Sequence, residues 1–199
     1  MKRFSRTFYR QSSIDVAKRL LGSYLHHVYD GQELIGRIVE TEAYSCFDDP
    51  ACHAFRGKTP RNAVMFEEGG FSYVYFTYGM HHCMNVTTNE EGIAEAVLIR
   101  ALEPIQGIET MQKLRAAKMA APRDLTNGPG KLCQALHLTR HDNAIDLVES
   151  DELFIAQGKP LDANLLGTST RIGITVAKHH PWRFFIKGNE YVSRGKPSV

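Results

Sequence analysis

Two glutamates and a tyrosine occupy alternate positions near the start of the chain, at Glu40, Glu42 and Tyr44. Because side chains of a β-strand alternate between its two faces, a strand here carries all three on one side. An ionised carboxylate that is buried without a partner costs several kcal/mol. This face therefore either lies open to solvent or builds a site, and spacing alone does not say which acid such a site would use.

A second segment, residues 71–80, is dense in aromatic, strand-forming residues and is interrupted by Gly79. Tyr73 and Tyr75 share one face of the predicted strand, and Tyr78 lies beside the glycine turn, where a hairpin tip is exposed. Tyrosines on an antiparallel ribbon are more often core or cross-strand packing than a binding platform. An aromatic side chain at an exposed tip can also enter a base step of DNA. Combined with the acidic strand, this segment predicts an aromatic cleft with one carboxylate for a flat, electron-poor ligand.

Short elements are predicted to position these groups. Ser12, with Asp15 three residues later, predicts the start of a helix, and Gly22 its end. Asp30-Gly31 predicts a tight hairpin turn. The predicted helices cover 13–21, 107–120 and 132–136; the predicted strands cover 24–28, 33–44, 71–78, 80–87, 95–102 (ended by Pro104), 153–155, 171–176 and 183–186.

The order of these elements indicates the fold class. Strands and helices do not alternate regularly, which argues against a doubly wound parallel sheet. We expect an α+β fold in one domain, residues 1–199, with a mainly antiparallel curved sheet, flanking helices and a protruding β-hairpin. The length of 199 residues, with 43% hydrophobic and 23% charged residues, suits one globular core.

Charge and hydropathy narrow the function classes. The net charge is +2, and basic residues cluster in 56–61, beside the acidic strand, and at Arg171 and 178–180. Such clusters are typical of nucleic-acid-binding patches, although scattered surface charge is the simpler reading of any one of them. No apolar run approaches the roughly 20 residues of a membrane-spanning helix. The basic start lacks an apolar segment behind it, so we expect an intracellular protein without membrane association.

The four cysteines, Cys46, Cys52, Cys83 and Cys133, include no C-x-x-C pair, and cytosolic proteins seldom use disulfides. Cys52 with His53, and residues 81–83, offer metal-binding side chains, but their spacing matches no standard zinc site. We therefore expect no metal and no cofactor.

Seven motifs occur in the order found in one protein family: IVETEAY at 38–44, TPRN at 59–62, YVY at 73–75, YGM at 78–80, CMNV at 83–86, LIRALEP at 98–104 and GPGKLCQAL at 128–136. The chain resembles the alkyladenine (3-methyladenine) DNA glycosylases of mammalian-type fold over residues 12–193. The resemblance implies a monofunctional base-excision-repair enzyme without metal. Such an enzyme hydrolyses the N-glycosidic bond of purines flipped out of duplex DNA and leaves an abasic site.

The resemblance also suggests substrates and setting. The implied lesions are alkylated or deaminated purines, namely 3-methyladenine, 7-methylguanine, hypoxanthine and ethenoadenine, and the sequence does not rank them. We expect a monomer that acts on double-stranded DNA, cytoplasmic and nucleoid-associated in a bacterium or nuclear in a eukaryote.

Site residues follow from the resemblance position by position. It implies that Glu42 is the general base that activates water and that Arg100 helps to hold this water. Tyr44 and Tyr75 match the aromatic residues that stack on the flipped base, with His53 as a third wall. Stacking on tyrosine adds a cation–π preference for a cationic base of about 0.5–2 kcal/mol per ring.

The resemblance also implies which residues set specificity and contact DNA. Asn85 matches a residue that crowds the 2-amino group of guanine. Tyr78 matches a side chain inserted where the base has left the stack, and Met80 is its neighbour. We expect Lys131 and Arg61 to contact DNA as well.

Three other readings remain open at this stage. In a bifunctional lyase, Lys131 or another lysine would attack C1′ as a Schiff-base nucleophile. A lesion-binding protein would use the aromatic cleft without cutting. A zinc hydrolase is the most remote of the three.

Overall fold

An antiparallel sheet of eight strands forms the centre of the protein, in a computed structural model that describes residues 2–77, 79–116 and 121–198. The path through the sheet is β3 (Ser72–Thr77), β4 (His81–Thr88), β5 (Glu95–Gln106), β2 (Gln32–Tyr44), β1 (Tyr24–Tyr29) and β6 (Leu153–Ala156), with β8 (Arg183–Ile186) paired to both β2 and β7 (Leu166–Ser169). With few helices beside it, this curled sheet gives the single α+β domain that the sequence predicts.

Strand β2 lies in the middle of the sheet and changes partners along its length. Its first half pairs with β1 through the tight turn at Asp30 and Gly31, whose φ angles of 50° and 71° match the predicted hairpin. Farther on, Glu40 and Glu42 pair with β8 on that edge, while β5 follows the other edge. The register with β5 shifts on both sides of Glu40, and such bulges increase the local twist. Both acids therefore lie on a strand flanked on either side.

Four short helices of the described chain flank the sheet: α1 (Arg6–Tyr9), α2 (Ser13–Leu20), α3 (Ile108–Leu114) and α4 (Pro129–Ala135). Helix α2 starts as predicted, because the Ser12 side chain accepts the backbone N–H of Asp15, and Gly22 follows it with a φ of 85°. Thr41 donates to the carbonyl of Ala17 at 2.9 Å, which ties α2 to the face of β2 opposite the acids. None of the described helices has the length and apolar character needed to cross a bilayer.

The second hairpin forms from β3 and β4, as the sequence predicts. Tyr73 pairs with Asn85 and Tyr75 with Cys83, so two tyrosines and the asparagine come together on adjacent strands. Met80, near the tip, is 69% exposed. Strand β4 continues the sheet onto β5, where Asn85 pairs with Leu98.

The structure departs from the prediction at several points, and three of them have identifiable reasons. Strand β5 continues past Pro104 because one extra residue forms a bulge between Pro104 and Gln106, which tolerates the missing N–H. Helix α3 ends at Leu114, before Ala116 takes a φ of 43°; positions 117–120 of the prediction lie outside the described residues. The predicted strand at 171–176 is instead a turn with Gly173 at a φ of 75°. Strand β7 has no counterpart in the prediction.

Candidate active site

A cavity of about 340 Å³ opens between the second hairpin, strand β5 and the turn at residues 172–174. This volume lies in the range of small-molecule sites. Its lining residues include Tyr44, His53, Tyr73, Tyr75, Asn85 and Arg100. Five of the residues predicted from the resemblance therefore meet in one cavity, and Tyr73 joins them.

Glu42 lies directly behind the wall of this cavity. Its side chain has no exposed surface, and the backbone N–H of Ile172 donates to Oε1 at 2.7 Å. The hydroxyl of Tyr44 donates to Oε2 at 2.8 Å, and Nη1 of Arg100 lies 3.2 Å from the same oxygen. All three partners line the cavity, whereas Glu42 itself does not. The alternative of a solvent-exposed acidic face is wrong, because this face is buried and paired.

Glu40 is held away from the cavity by a closed set of donors. Its Oε1 accepts from Nε of Arg100 at 2.9 Å, Nε of Arg183 at 2.7 Å and Oγ of Ser193 at 2.8 Å. Its Oε2 accepts from the backbone N–H of Ser193 at 2.7 Å. Since the side chain is fully buried, this carboxylate anchors the C-terminal segment to β2.

Arg100 connects the two acids, with Nε on Glu40 and Nη1 on Glu42. Burial opposes its charge, but the two carboxylates outweigh that effect and raise its pKa. The guanidinium is therefore a fixed positive charge at the cavity wall.

The wall that contains Tyr44 rests on a buried ion pair. The guanidinium carbon of Arg171 lies 4.5 Å from the centre of the Tyr44 ring, and two nitrogens of Arg171 bind Asp49 at 2.6 and 2.7 Å. Both charged side chains are fully buried, so the prediction of Arg171 as part of a surface basic patch is wrong. Burial raises the pKa of Tyr44 well above its ordinary value, and Glu42 raises it further, so the phenol stays protonated and donates.

The other aromatic wall comes from the second hairpin and the loop before it. His53 meets Tyr75 edge to face at 4.6 Å between ring centres, and its Nδ1 shares a 2.8 Å hydrogen bond with the Tyr73 hydroxyl. Burial lowers the pKa of His53, and the guanidinium of Arg61 lowers it further, which favours a neutral imidazole. Nδ2 of Asn85 donates to the Tyr73 carbonyl at 3.0 Å and fixes the amide plane.

Comparison with known proteins shows the family of the chain. Residues 7–190 match the family model of methylpurine-DNA glycosylase. The chain belongs to the methylpurine-DNA glycosylase family. A relative from Carboxydothermus hydrogenoformans is 51% identical over 95% of this chain and 97% of its own length. Relatives from Francisella tularensis (49%, covering 93% and 95%) and Desulfitobacterium hafniense (46%, covering 97% and 99%) are similar, and all three are named as 3-methyladenine DNA glycosylases.

Family membership makes the protein a hydrolase of N-glycosyl bonds in DNA repair. Of the residues predicted to contact DNA, Met80, Lys131 and Arg61 do not line the cavity. Nζ of Lys131 donates to Asn127 at 2.7 Å and to Asp124 at 3.3 Å, and the lysine is partly exposed. Arg61 is exposed, with its guanidinium carbon 5.1 Å from the centre of the Tyr75 ring. The prediction for Tyr78 falls outside the described residues.

Sequence reasoning missed several groups that build this site. The N–H of Ile172 is a backbone donor, and nothing in a sequence marks such a group. Asp49 and Arg183 are single charged residues whose partners, Arg171 and Glu40, lie more than 100 positions away in sequence. Among the residues that the structure describes, no group of three or more His, Cys, Asp or Glu side chains is placed to hold a metal ion.

Proposed function

We propose that this glycosylase excises alkylated or deaminated purines, 3-methyladenine, 7-methylguanine, hypoxanthine and ethenoadenine, after each is flipped out of duplex DNA. The observation that carries the proposal is the contact of one buried carboxylate, Glu42, with three residues of an aromatic cavity. The product is an abasic site, and the whole chain, 1–199, acts as one glycosylase domain.

In this proposal Glu42 is the general base. A carboxylate has about four acceptor positions, and Tyr44, Ile172 and Arg100 occupy three of them. No described donor occupies the remaining position, on the oxygen that accepts from Ile172. Because Glu42 has no exposed surface, the proposal requires the cavity wall to shift so that the attacking water reaches this oxygen. Glycoside hydrolysis passes through an oxocarbenium-like transition state, which an adjacent carboxylate stabilises while it takes the proton from water.

Arg100 holds the same water and balances the charge of the two acids. Its link to the anchored Glu40 fixes the guanidinium in place, so the catalytic pair does not have to reorganise during the reaction.

The aromatic walls receive the extruded base. Tyr44 and Tyr75 stack on it, His53 forms the third wall, and Asn85 at the hairpin side crowds the 2-amino group of guanine, which disfavours the undamaged base. Flipping costs a few kcal/mol, and the cost is least for a lesion that pairs badly, so part of the selectivity precedes entry into the cavity.

Groups outside the cavity are proposed to hold the DNA. Tyr78 fills the gap in the stack with Met80 beside it, and Lys131 and Arg61 meet the phosphates. We propose a monomer that works on the bacterial nucleoid, in keeping with the bacterial sources of its relatives.

The arrangement of Lys131 favours hydrolysis over a lyase reaction. Its ammonium is bound to Asp124 and Asn127, and the residue does not line the cavity. Borohydride should therefore trap no covalent adduct between the protein and DNA.

The test is release of free base from duplexes that carry 3-methyladenine, 7-methylguanine, hypoxanthine or ethenoadenine, with Glu42→Gln as the control. Wild type should release at least one damaged purine and leave an abasic strand, while Glu42→Gln should release almost none. Lesion binding without any release would favour the non-catalytic alternative, and a borohydride adduct would favour the lyase. Equal rates for the two proteins would remove Glu42 as the base.

A further inference from the structure

We infer that Arg61 is a specificity-determining residue that shifts this enzyme toward neutral damaged bases and away from cationic ones. The inference rests on the proposed function, because it concerns the choice among bases stacked in the same cavity. It assigns to Arg61 a role in addition to any contact with DNA phosphate.

Both tyrosines proposed to stack on the base carry an arginine against the ring. The guanidinium carbon of Arg171 lies 4.5 Å from the centre of Tyr44, and that of Arg61 lies 5.1 Å from the centre of Tyr75. Neither arginine lines the cavity. Each guanidinium therefore contacts its ring from outside, and the cavity side of each ring remains available.

The two arginines differ in charge compensation. Arg171 binds Asp49 through two nitrogens, and both side chains are fully buried, so its charge is neutralised locally. Arg61 is exposed and contacts the Phe76 carbonyl at 3.5 Å and the Tyr73 side chain. Across the described ranges, no ion pair neutralises Arg61, so its charge acts on the Tyr75 wall without an opposing carboxylate.

A cation on one face of an aromatic ring weakens the attraction of the other face for a second cation. The first cation already draws on the electrons of the ring, and the two positive charges also repel each other directly. Purines alkylated at N3 or N7 are cationic, whereas hypoxanthine and ethenoadenine are neutral. The penalty therefore falls on the cationic lesions.

The charge of Arg61 reaches groups inside the cavity. Burial lowers the pKa of His53, and Arg61 is the charge that lowers it further. His53 forms the wall next to Tyr75, with 4.6 Å between the ring centres, so a cationic base at this position would meet the same field.

The test compares single-turnover release of 7-methylguanine and hypoxanthine from duplexes of one sequence by wild type, Arg61→Met, Arg61→Lys and Arg56→Met. Arg56 is an exposed arginine of the same loop and serves as the matched control. Loss of a phosphate contact weakens binding to all sequences alike, so it cancels in the ratio of the two rates.

We expect the ratio of 7-methylguanine to hypoxanthine release to rise roughly two- to fivefold in Arg61→Met. The ratio should stay near that of wild type in Arg61→Lys, which keeps a positive charge, and in Arg56→Met. If wild type releases only one of the two lesions, the readout is the release rate of Arg61→Met divided by that of Arg56→Met on that lesion. This quotient should rise if the lesion is cationic and should not rise if it is neutral.

An unchanged or lower ratio in Arg61→Met, or an equal rise in Arg56→Met, would overturn the inference. Failure of wild type to release any damaged base would instead overturn the proposed function, so the two failures are distinguishable.

Discussion

Glu40 and Glu42 lie two residues apart on the same face of one strand, yet their surroundings differ. Glu40 accepts four hydrogen bonds from Arg100, Arg183 and Ser193. These donors enclose its carboxylate, so the carboxylate has no contact with open space. Glu42 is held by Tyr44, Ile172 and Arg100, which are all part of the cavity wall. Burial is complete at both positions, so exposure does not distinguish them.

The difference shows that the partner segments, rather than the strand itself, assign the roles of the two acids. Residues 183–193 close over Glu40 and make it an anchor. The turn at 172–174 offers only one backbone donor to Glu42 and leaves the cavity beside it. We interpret Glu40 as the group that holds Arg100 in place and Glu42 as the group that reacts.

The largest expected change in stability tests Glu40 as the anchor. Glu40→Gln keeps the shape of the side chain but removes the carboxylate. Arg183 then loses its carboxylate partner, and Arg100 loses one of its two carboxylate partners. Breaking a buried pair in this way costs about 3–5 kcal/mol of unfolding free energy, which urea denaturation would measure. Glu42→Gln should lower the unfolding free energy by less, about 1.5–3 kcal/mol, because Arg100 keeps its ion pair with Glu40. A larger loss in Glu42→Gln than in Glu40→Gln would contradict the comparison.

A smaller change tests the hydrogen bond between Tyr44 and Glu42. Tyr44→Phe keeps the stacking ring but removes a donor to the carboxylate, so base release should slow by about tenfold. Tyr9→Phe is the matched control, since Tyr9 is also fully buried and lies away from the cavity. This control should leave base release unchanged.

The same pair of variants predicts a pH effect. Burial raises the pKa of Tyr44 well above 10.0, and burial likewise raises the pKa of Tyr9. Above pH 10 the unfolded chain loses these protons while the folded protein keeps them, so stability falls as pH rises. Each Phe variant should reduce that fall by up to about 1.4 kcal/mol per pH unit; denaturation curves between pH 9 and 11 that match wild type would contradict this.

The smallest expected change concerns Lys131, outside both acid sites. Lys131→Gln should reduce the salt dependence of binding to undamaged duplex by about one unit of slope, and by the same amount for damaged duplex. Stability should stay near that of wild type, because the pair with Asp124 is a surface ion pair. Fluorescence titrations at several salt concentrations would measure the slope, and an unchanged slope would remove Lys131 from the DNA contacts.

Local patterns predicted much of the fold. The cap at Ser12, the turn at Asp30-Gly31 and the aromatic hairpin are set by neighbouring residues, and all three were predicted correctly. Strand β5 past Pro104 and the turn at residue 173 were predicted incorrectly, because their course depends on pairing with distant segments.

The candidate site divides in the same way. The resemblance named Tyr44, His53, Tyr75, Asn85 and Arg100, which meet in one cavity, while their roles stay predictions. Residue patterns alone could not separate Glu40 from Glu42 or place Arg171 in the interior, since both depend on partners more than 100 positions away.

The most direct measurement is single-turnover release of a damaged purine by Glu42→Gln and Glu40→Gln side by side, at a temperature where circular dichroism shows both to be folded. A lost general base should slow Glu42→Gln by about 10²–10⁴-fold, and Glu40→Gln should slow far less. Equal losses, or a larger loss in Glu40→Gln, would contradict the assignment of Glu42 as the reacting carboxylate.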